Sequence, residues 1–325
     1  MNSTPQKPAA TPPGAEPRKP VKGSSLWRDA WRRLLKNRMA VFGALLLLLI
    51  SAIALLTPWI APYGFEETHL PDGNRPPHLW EVRNCEPGVP GLEMYCKRYL
   101  ECQAGEARGE CNSYVLGTDH LGRDLMTRIM WGGRISLSVG LLATMVSLVI
   151  GVTYGALAGF TGGRADNIMM RIVDILYGLP FMFLVILLMV IFHDIEAEKK
   201  LYLLFIGLGC VQWLTMSRIT RGQTLSLKNR EFIMAARTSG AGTARMLVKH
   251  IIPNLLGPII VYATLTVPMI MLEEAFLSFL GLGVQAPMAS WGSLASDGRE
   301  SMDIFPWQII FPGVALAVTL FSLNF

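Results

Sequence analysis

Residues 39–60 contain no charged side chain, and that run constrains the fold more than any other feature of the chain. A bilayer core about 30 Å thick is crossed by roughly 20 apolar residues wound as a helix. A secretory hydrophobic region is shorter, about 7–15 residues, and ends at a small-residue cleavage site. No such site follows residue 60, so the run is a retained membrane span. Four more runs are clear by length, at 135–160, 168–192, 201–216 with a polar continuation, and 255–275; a sixth begins near Trp307 and reaches Phe325. A transmembrane barrel would instead alternate in segments of about ten residues. The expected fold is all-α and polytopic, with six transmembrane helices. Only 16% of the residues are charged, against about 25% in soluble domains, so the chain lacks the polar surface to face water alone.

The spans divide the chain. Residues 1–25 hold Pro5, Pro8, Pro12, Pro13, Pro17 and Pro20 and no apolar period, which is the composition of a disordered tail. In 26–38, Leu26, Trp27, Ala30, Trp31, Leu34 and Leu35 recur at helical spacing opposite Arg28, Arg32, Arg33 and Lys36. Two readings fit, an interfacial amphipathic helix and a basic flank that snorkels around the first span. The first span is 39–60, an external loop fills 61–134, and 135–325 forms a five-span core.

Lys and Arg in the short flanks set the orientation. The stretch before the first span is basic, which puts the N-terminus in the cytoplasm. Six crossings then place 217–250 inside, where seven basic residues face the single acid Glu231. The same alternation puts 61–119 outside, where ten acids outnumber five bases. Cys85, Cys96, Cys102 and Cys111 all lie in that external loop, where an oxidising compartment permits disulfides. Their spacing matches no zinc pattern, so two bridges are expected, with three connectivities open. Cys210 reads as a small packing residue within a span.

Several chemistries have no sequence support. There is no G-x-x-x-x-G-K-[ST] loop, no H-E-x-x-H and no G-x-S-x-G, and the five histidines are scattered singly. No catalytic residue, metal site or cofactor of this chain's own is expected. Charges within spans are few: Arg171 and Asp174 near the start of the third, Glu273 and Glu274 at the outer end of the fifth. Intramembrane ionisable groups are functional candidates by default. Each lies within two turns of a span end, within reach of water or headgroups, so interfacial pairing and a place on a translocation path both remain open.

The internal segment reads Glu231-Phe232-Ile233-Met234-Ala235-Ala236-Arg237-Thr238-Ser239-Gly240 and continues to His250-Ile251-Ile252-Pro253. It predicts a short helix with a small-residue patch at Ala235 and Ala236, a break at Gly240, and a second helix ending before Pro253. Small side chains admit another backbone closely, and the basic surround fits an acidic soluble partner.

This segment resembles the EAA loop of importer-type ABC permeases, in which Glu-Ala-Ala is followed after three residues by Gly and nine residues later by Ile-x-Leu-Pro. Ala235, Ala236, Gly240 and Pro253 keep the spacing. Met234 stands where the family has Glu, His250 where it has Ile and Ile252 where it has Leu; Glu231 lies one turn earlier and can serve for the missing acid. Gly117-Thr118-Asp119-His120-Leu121-Gly122-Arg123-Asp124 is similar to the G-T-D-x-x-G-R-D signature of peptide-transport permeases. So is Phe276-Leu277-Ser278-Phe279-Leu280-Gly281-Leu282-Gly283 with Pro287 and Ser290-Trp291-Gly292. Arg221-Gly222-Gln223-Thr224 and Phe181-Met182-Phe183-Leu184 point within that family to the oligopeptide and dipeptide C-subunit type. The cysteine-bearing insertion, 79–113, is longer than the family pattern. Members continue past Asn324-Phe325 into a charged tail, so the natural chain is expected to extend further.

The resemblance implies a type I ABC importer permease fold and a multi-pass protein of the bacterial inner membrane. It implies a permease subunit forming half of a peptide path, beside a homologous second permease, two cytoplasmic ABC ATPase subunits and a periplasmic peptide-binding protein. ATP and Mg2+ would belong to the ATPase subunits. Glu231, Ala235, Ala236, Gly240 and Pro253 would couple to them through 217–253. The alternatives are an ABC permease for nickel or another small solute, and an ion-driven secondary transporter. The latter needs midplane ion sites on broken helices or inverted repeats, and the sequence offers neither a repeat nor a deep acidic pair.

Overall fold

The computed structural model describes residues 35–85, 93–105, 111–192 and 194–325; the expected tail at 1–25 and most of the basic stretch 26–38 lie outside them. Residues 42–325 form one compact unit. Among the described residues the regular elements are helices, with one isolated antiparallel bridge between Thr118 and Asp124.

Helix α1 (Arg38–Ile60) is the first apolar run. Asn37 opens it by accepting the Met39 amide at 3.2 Å and the Ala40 amide at 3.4 Å, which serves amides that have no partner within the helix. Two short helices follow, α2 (His78–Asn84) and α3 (Glu93–Gln103), held by disulfides Cys85–Cys96 and Cys102–Cys111.

Helix α4 (Leu125–Thr161) has 37 residues and so extends about 54 Å, well beyond a bilayer core. It packs along α7 (Ala197–Leu227). Gly151, Gly155 and Gly159 recur every fourth residue on the contact face. A Cβ at Gly151 would lie 2.6 Å from that of Met216, and one at Gly159 2.8 Å from the Arg221 carbonyl. Glycine is therefore required for the backbones to approach this closely, as in small-xxx-small membrane pairs.

The run expected as a single third span is broken instead. It forms α5 (Gly163–Tyr177) and α6 (Phe181–Ile191), bent by 74°. Pro180 cannot donate a backbone hydrogen bond, and it disfavours helical geometry at Leu179, so the helix ends at Gly178. Among the described residues, five helices are long and apolar enough to cross a membrane, six with the bent pair.

After α7 come α8 (Glu231–Thr238) and α9 (Thr243–Met246), then a π turn at Leu247–Ile251 that leads into α10 (Ile252–Phe279). The expected end before Pro253 is thereby corrected. The Ile252 amide reaches back five residues to the Leu247 carbonyl, and the wider turn carries the chain into Pro253 without needing the amide that proline lacks. Pro253 is the second residue of α10. The chain closes with α11 (Trp291–Arg299) and α12 (Trp307–Asn324).

Candidate functional site

Three regions hold the residues singled out by sequence. The first lies beyond the C-terminal end of α4. Helix α8 is pinned by Ile233, which is 0% exposed and packs with Phe160, Met216, Met246 and Ile251. Around that anchor the helix is open: Glu231 and Ala235 are exposed, Phe232 is 41% and Met234 52% exposed, and Ala236 is half-buried. Its end is a Schellman closure, with the Ala241 amide on the Ala236 carbonyl at 3.1 Å and the Gly240 amide on the Arg237 carbonyl at 3.0 Å. That geometry needs a left-handed residue, and Gly240 supplies it at φ +81°. The result is a two-turn helix offering apolar and small side chains to the outside, with Arg237 set 5.8 Å from the Phe160 ring.

The second region surrounds the α5–α6 elbow. Asp174 accepts from Arg218 of α7 at 2.8 Å, and the same guanidinium lies 4.3 Å over the Tyr177 ring. Two turns earlier in α5, both Asp166 oxygens accept from Arg221 at 2.5 and 2.7 Å. Arg171 and Asp174 line a groove beside Asn167. Next to it in sequence, Tyr177 joins Gln212, Thr215, Tyr262 and Glu273 in a cavity of about 490 Å³. Glu273 accepts from the Gln212 amide at 2.7 Å. Cys210 is exposed on the same cavity, not a packed residue as its apolar surround implied, because its face of α7 turns toward the elbow.

Glu274 does not share that environment. It is 1% exposed, and one carboxylate oxygen accepts from Ser278 at 2.8 Å and from Ser290 at 2.6 Å. The expectation of water within its reach is corrected. The acid ties α10 to the start of α11, where Ser290 also caps the helix and the Trp291 indole donates to the Ile129 carbonyl at 2.9 Å. The Ser-Trp-Gly motif thus acts as a packing joint: a Cβ on Gly292 would lie 3.0 Å from that of Ala275.

The third region precedes α4. Thr118 is buried, donating to the Asp72 carbonyl at 2.6 Å and accepting from the Arg75 amide at 2.8 Å. Asp119 accepts from the amides of Leu121 and Arg123, from Arg123 Nε at 2.7 Å and from Arg128 Nη1 at 2.6 Å. Burial raises the Asp119 carboxyl, but Arg128 and Arg123 outweigh it and hold the group below the ordinary aspartate range. Asp124 caps α4 through the Thr127 amide at 2.8 Å, and there burial wins and raises the pKa. Gln308 of α12 donates to Asn74 at 2.8 Å and to the Thr118 carbonyl at 3.1 Å. The G-T-D-x-x-G-R-D segment is thus a buried knot joining the loop to the last helix.

Sequence reasoning missed Gln212 and the Asp166–Arg221 pair, whose partners lie 61 and 55 residues away. Among the described residues no group of three or more His, Cys, Asp or Glu is placed to hold a metal ion.

Residues 151–325 match the family model of the binding-protein-dependent transport system inner membrane component, and 25–77 match the N-terminal TM domain of oligopeptide transport permease C. The chain is 42% identical to the oligopeptide transport system permease protein OppC of Haemophilus influenzae, covering 94% of this chain and 86% of that one. It is 39% identical to OppC of Bacillus subtilis, over 98% and 92% of the two chains. The dipeptide transport system permease protein DppC of Bacillus subtilis is 40% identical, over 92% and 82%. Among solved structures, a chain of the MetNI methionine ABC transporter in an inward-facing form aligns with TM-score 0.48 and 17% identity, over 62% of this chain and 93% of that one.

Proposed function

The chain belongs to the family of binding-protein-dependent transport system inner membrane components, and on that premise we propose that it is the permease subunit forming half of the translocation path of an ATP-driven peptide importer. Its relatives over more than nine-tenths of its length are permeases of oligopeptide and dipeptide transport systems, which supports peptide over nickel as the cargo. It is a non-catalytic, multi-pass inner-membrane subunit. Its partners in this reading are a homologous second permease, two cytoplasmic ABC ATPase subunits that hold ATP and Mg2+, and a periplasmic peptide-binding protein. The charge balance of 217–250 and 61–119 supports a cytoplasmic N-terminus.

The observation that carries the reading is the exposed α8 helix. Glu231, Ala235, Ala236 and Gly240 offer the ATPase subunits a rigid two-turn surface, and Ile233 ties it to the α4 and α7 core. Coupling requires different contact energies in two global states. A helix pinned at one buried residue passes a push from outside to α7, whose Arg218 and Arg221 grip the elbow helix α5. Pro253 continues this rigid segment into α10. Arg171, Asp174 and Glu273 line this chain's share of the path, while Glu274 holds the wall together.

The test is reconstitution. Alone in liposomes the chain neither hydrolyses ATP nor moves peptide down a proton or sodium gradient. With the second permease, both ATPase subunits and the binding protein it supports ATP-dependent uptake that stops when the binding protein is omitted. Gradient-driven uptake by this chain alone would overturn the reading.

A further inference from the structure

The elbow cavity contains an acid whose hydrogen bonding is incomplete. Glu273 is the single charge-bearing side chain among the described residues lining it. One oxygen is engaged by Gln212 at 2.7 Å; the other is shielded from solvent and has no hydrogen-bond partner. An ionisable group with an unmet acceptor inside a membrane span is costly unless something arrives to pair with it. The nearby cation gives no help, since Arg218 is committed to Asp174 and to the Tyr177 ring.

The remaining walls suit a positively charged group attached to an organic body. Gln212 and Thr215 supply polar contacts, Tyr177 and Tyr262 supply rings, and leucines from the broken span supply apolar surface. The Tyr177 ring already carries a guanidinium at 4.3 Å, so rings at this elbow are placed for cations. A volume of about 490 Å³ admits one or two amino-acid residues.

We propose that Glu273 makes this cavity an ammonium-selective station, receiving the amino terminus or a lysine side chain of a peptide in transit. The inference rests on the reading that this chain lines a peptide path. It adds a preference for cationic groups within the membrane, separate from any choice made by the binding protein.

Cys210 supplies the probe, because it is exposed on the same cavity while the other four cysteines are bridged. In the assembled complex, Cys210 is modified with methanethiosulfonates carrying either a trimethylammonium or a sulfonate group. The cationic reagent should react about tenfold faster relative to its rate with free thiol, as an opposite charge lining the same cavity implies. Glu273→Gln should bring the ratio close to one, and Glu273→Asp should keep most of it. Tri-lysine should slow the cationic reagent, while N-acetylated tri-alanine amide should not. An unchanged ratio in Glu273→Gln would overturn the proposal. Failure of the import reading gives a different result, in which the charge ratio persists but no peptide is taken up with ATP and the binding protein present.

Discussion

Arg75 grips Glu81 with two parallel hydrogen bonds, Nε to Oε1 and Nη2 to Oε2, each 2.9 Å, in a site where both side chains are at most 5% exposed. The same guanidinium reaches Asp72 at 3.3 Å and the Asn112 carbonyl at 2.9 Å, and Asp72 in turn accepts from Arg98 and from the Tyr114 hydroxyl. Burial works against the Arg75 charge, yet Glu81 and Asp72 more than compensate and raise its pKa. The cluster closes the loop onto Thr118 and so onto the knot at the head of α4.

Removing the cation should leave the buried Glu81 carboxylate without its guanidinium, while Asp72 keeps Arg98. Breaking a buried pair from one side costs about 3–5 kcal/mol, whereas replacing both partners with apolar groups costs far less. Arg75→Met should therefore strip hydrogen-exchange protection from the Thr118 amide, which donates to the Arg75 carbonyl at 3.0 Å. Arg75→Met combined with Glu81→Leu should restore part of it. Wild-type exchange in the single variant would show that the cluster is not what holds the loop.

The disulfides close short loops around the same cluster. Cys85–Cys96 and Cys102–Cys111 span separations of 11 and 9 residues, and loops of that size are stabilised by roughly 2.5–3 kcal/mol each in the chain-entropy account. Denatured without reductant, the protein should present one reactive thiol, that of Cys210. Reduction should expose 79–113 to protease while leaving the spans intact. Four or five reactive thiols before reduction would dismiss both the bridges and the external placement of the loop.

Much of this architecture was legible because membrane burial writes itself into run length. Residues 39–60 and the last run could be placed almost to the residue, and Gly240 announced its own turn. The elbow was harder: Gly178 and Pro180 were visible, but apolar continuity across 168–192 imitates a straight span. The passage through Pro253 depends on a π turn, for which apolar runs carry no signal. Glu273 and Glu274 are neighbours of identical chemistry. Their roles separate only when Gln212 and Ser290 arrive from other parts of the chain, and long-range partnership leaves no local pattern.

Acid should weaken the knot through Asp119. Its folded pKa is depressed, so its contribution is whole above the ordinary aspartate value near 3.8 and is lost as pH falls below that through the folded value. Asp124 works in the opposite sense: its folded pKa is raised, so protonation favours the fold and some stability is gained as pH falls toward 3.8. The thermal midpoint should fall steeply only below about pH 4. Asp119→Asn should be less stable at neutral pH and should lack that added fall. Parallel pH profiles for the two proteins would remove Asp119 from the account.

Coupling should fail at Gly240 without loss of insertion. A side chain at φ +81° costs about 1–2 kcal/mol in the left-handed region, and a β-branched one suffers most. Open space surrounds Gly240, with nothing within 4 Å of where a Cβ would stand, so Gly240→Val acts on the turn and not on packing. The strained closure should loosen the end of α8 while Ile233 keeps its burial. Membrane yield and heterodimer assembly should stay near wild type, and ATP-driven uptake should drop several-fold. Gly240→Asn, which tolerates the left-handed region better, should keep most of the transport. Ala235→Trp acts at an exposed position and should weaken copurification of the ATPase subunits by steric exclusion. Normal uptake in Gly240→Val together with normal ATPase attachment in Ala235→Trp would reduce the segment to an ordinary loop.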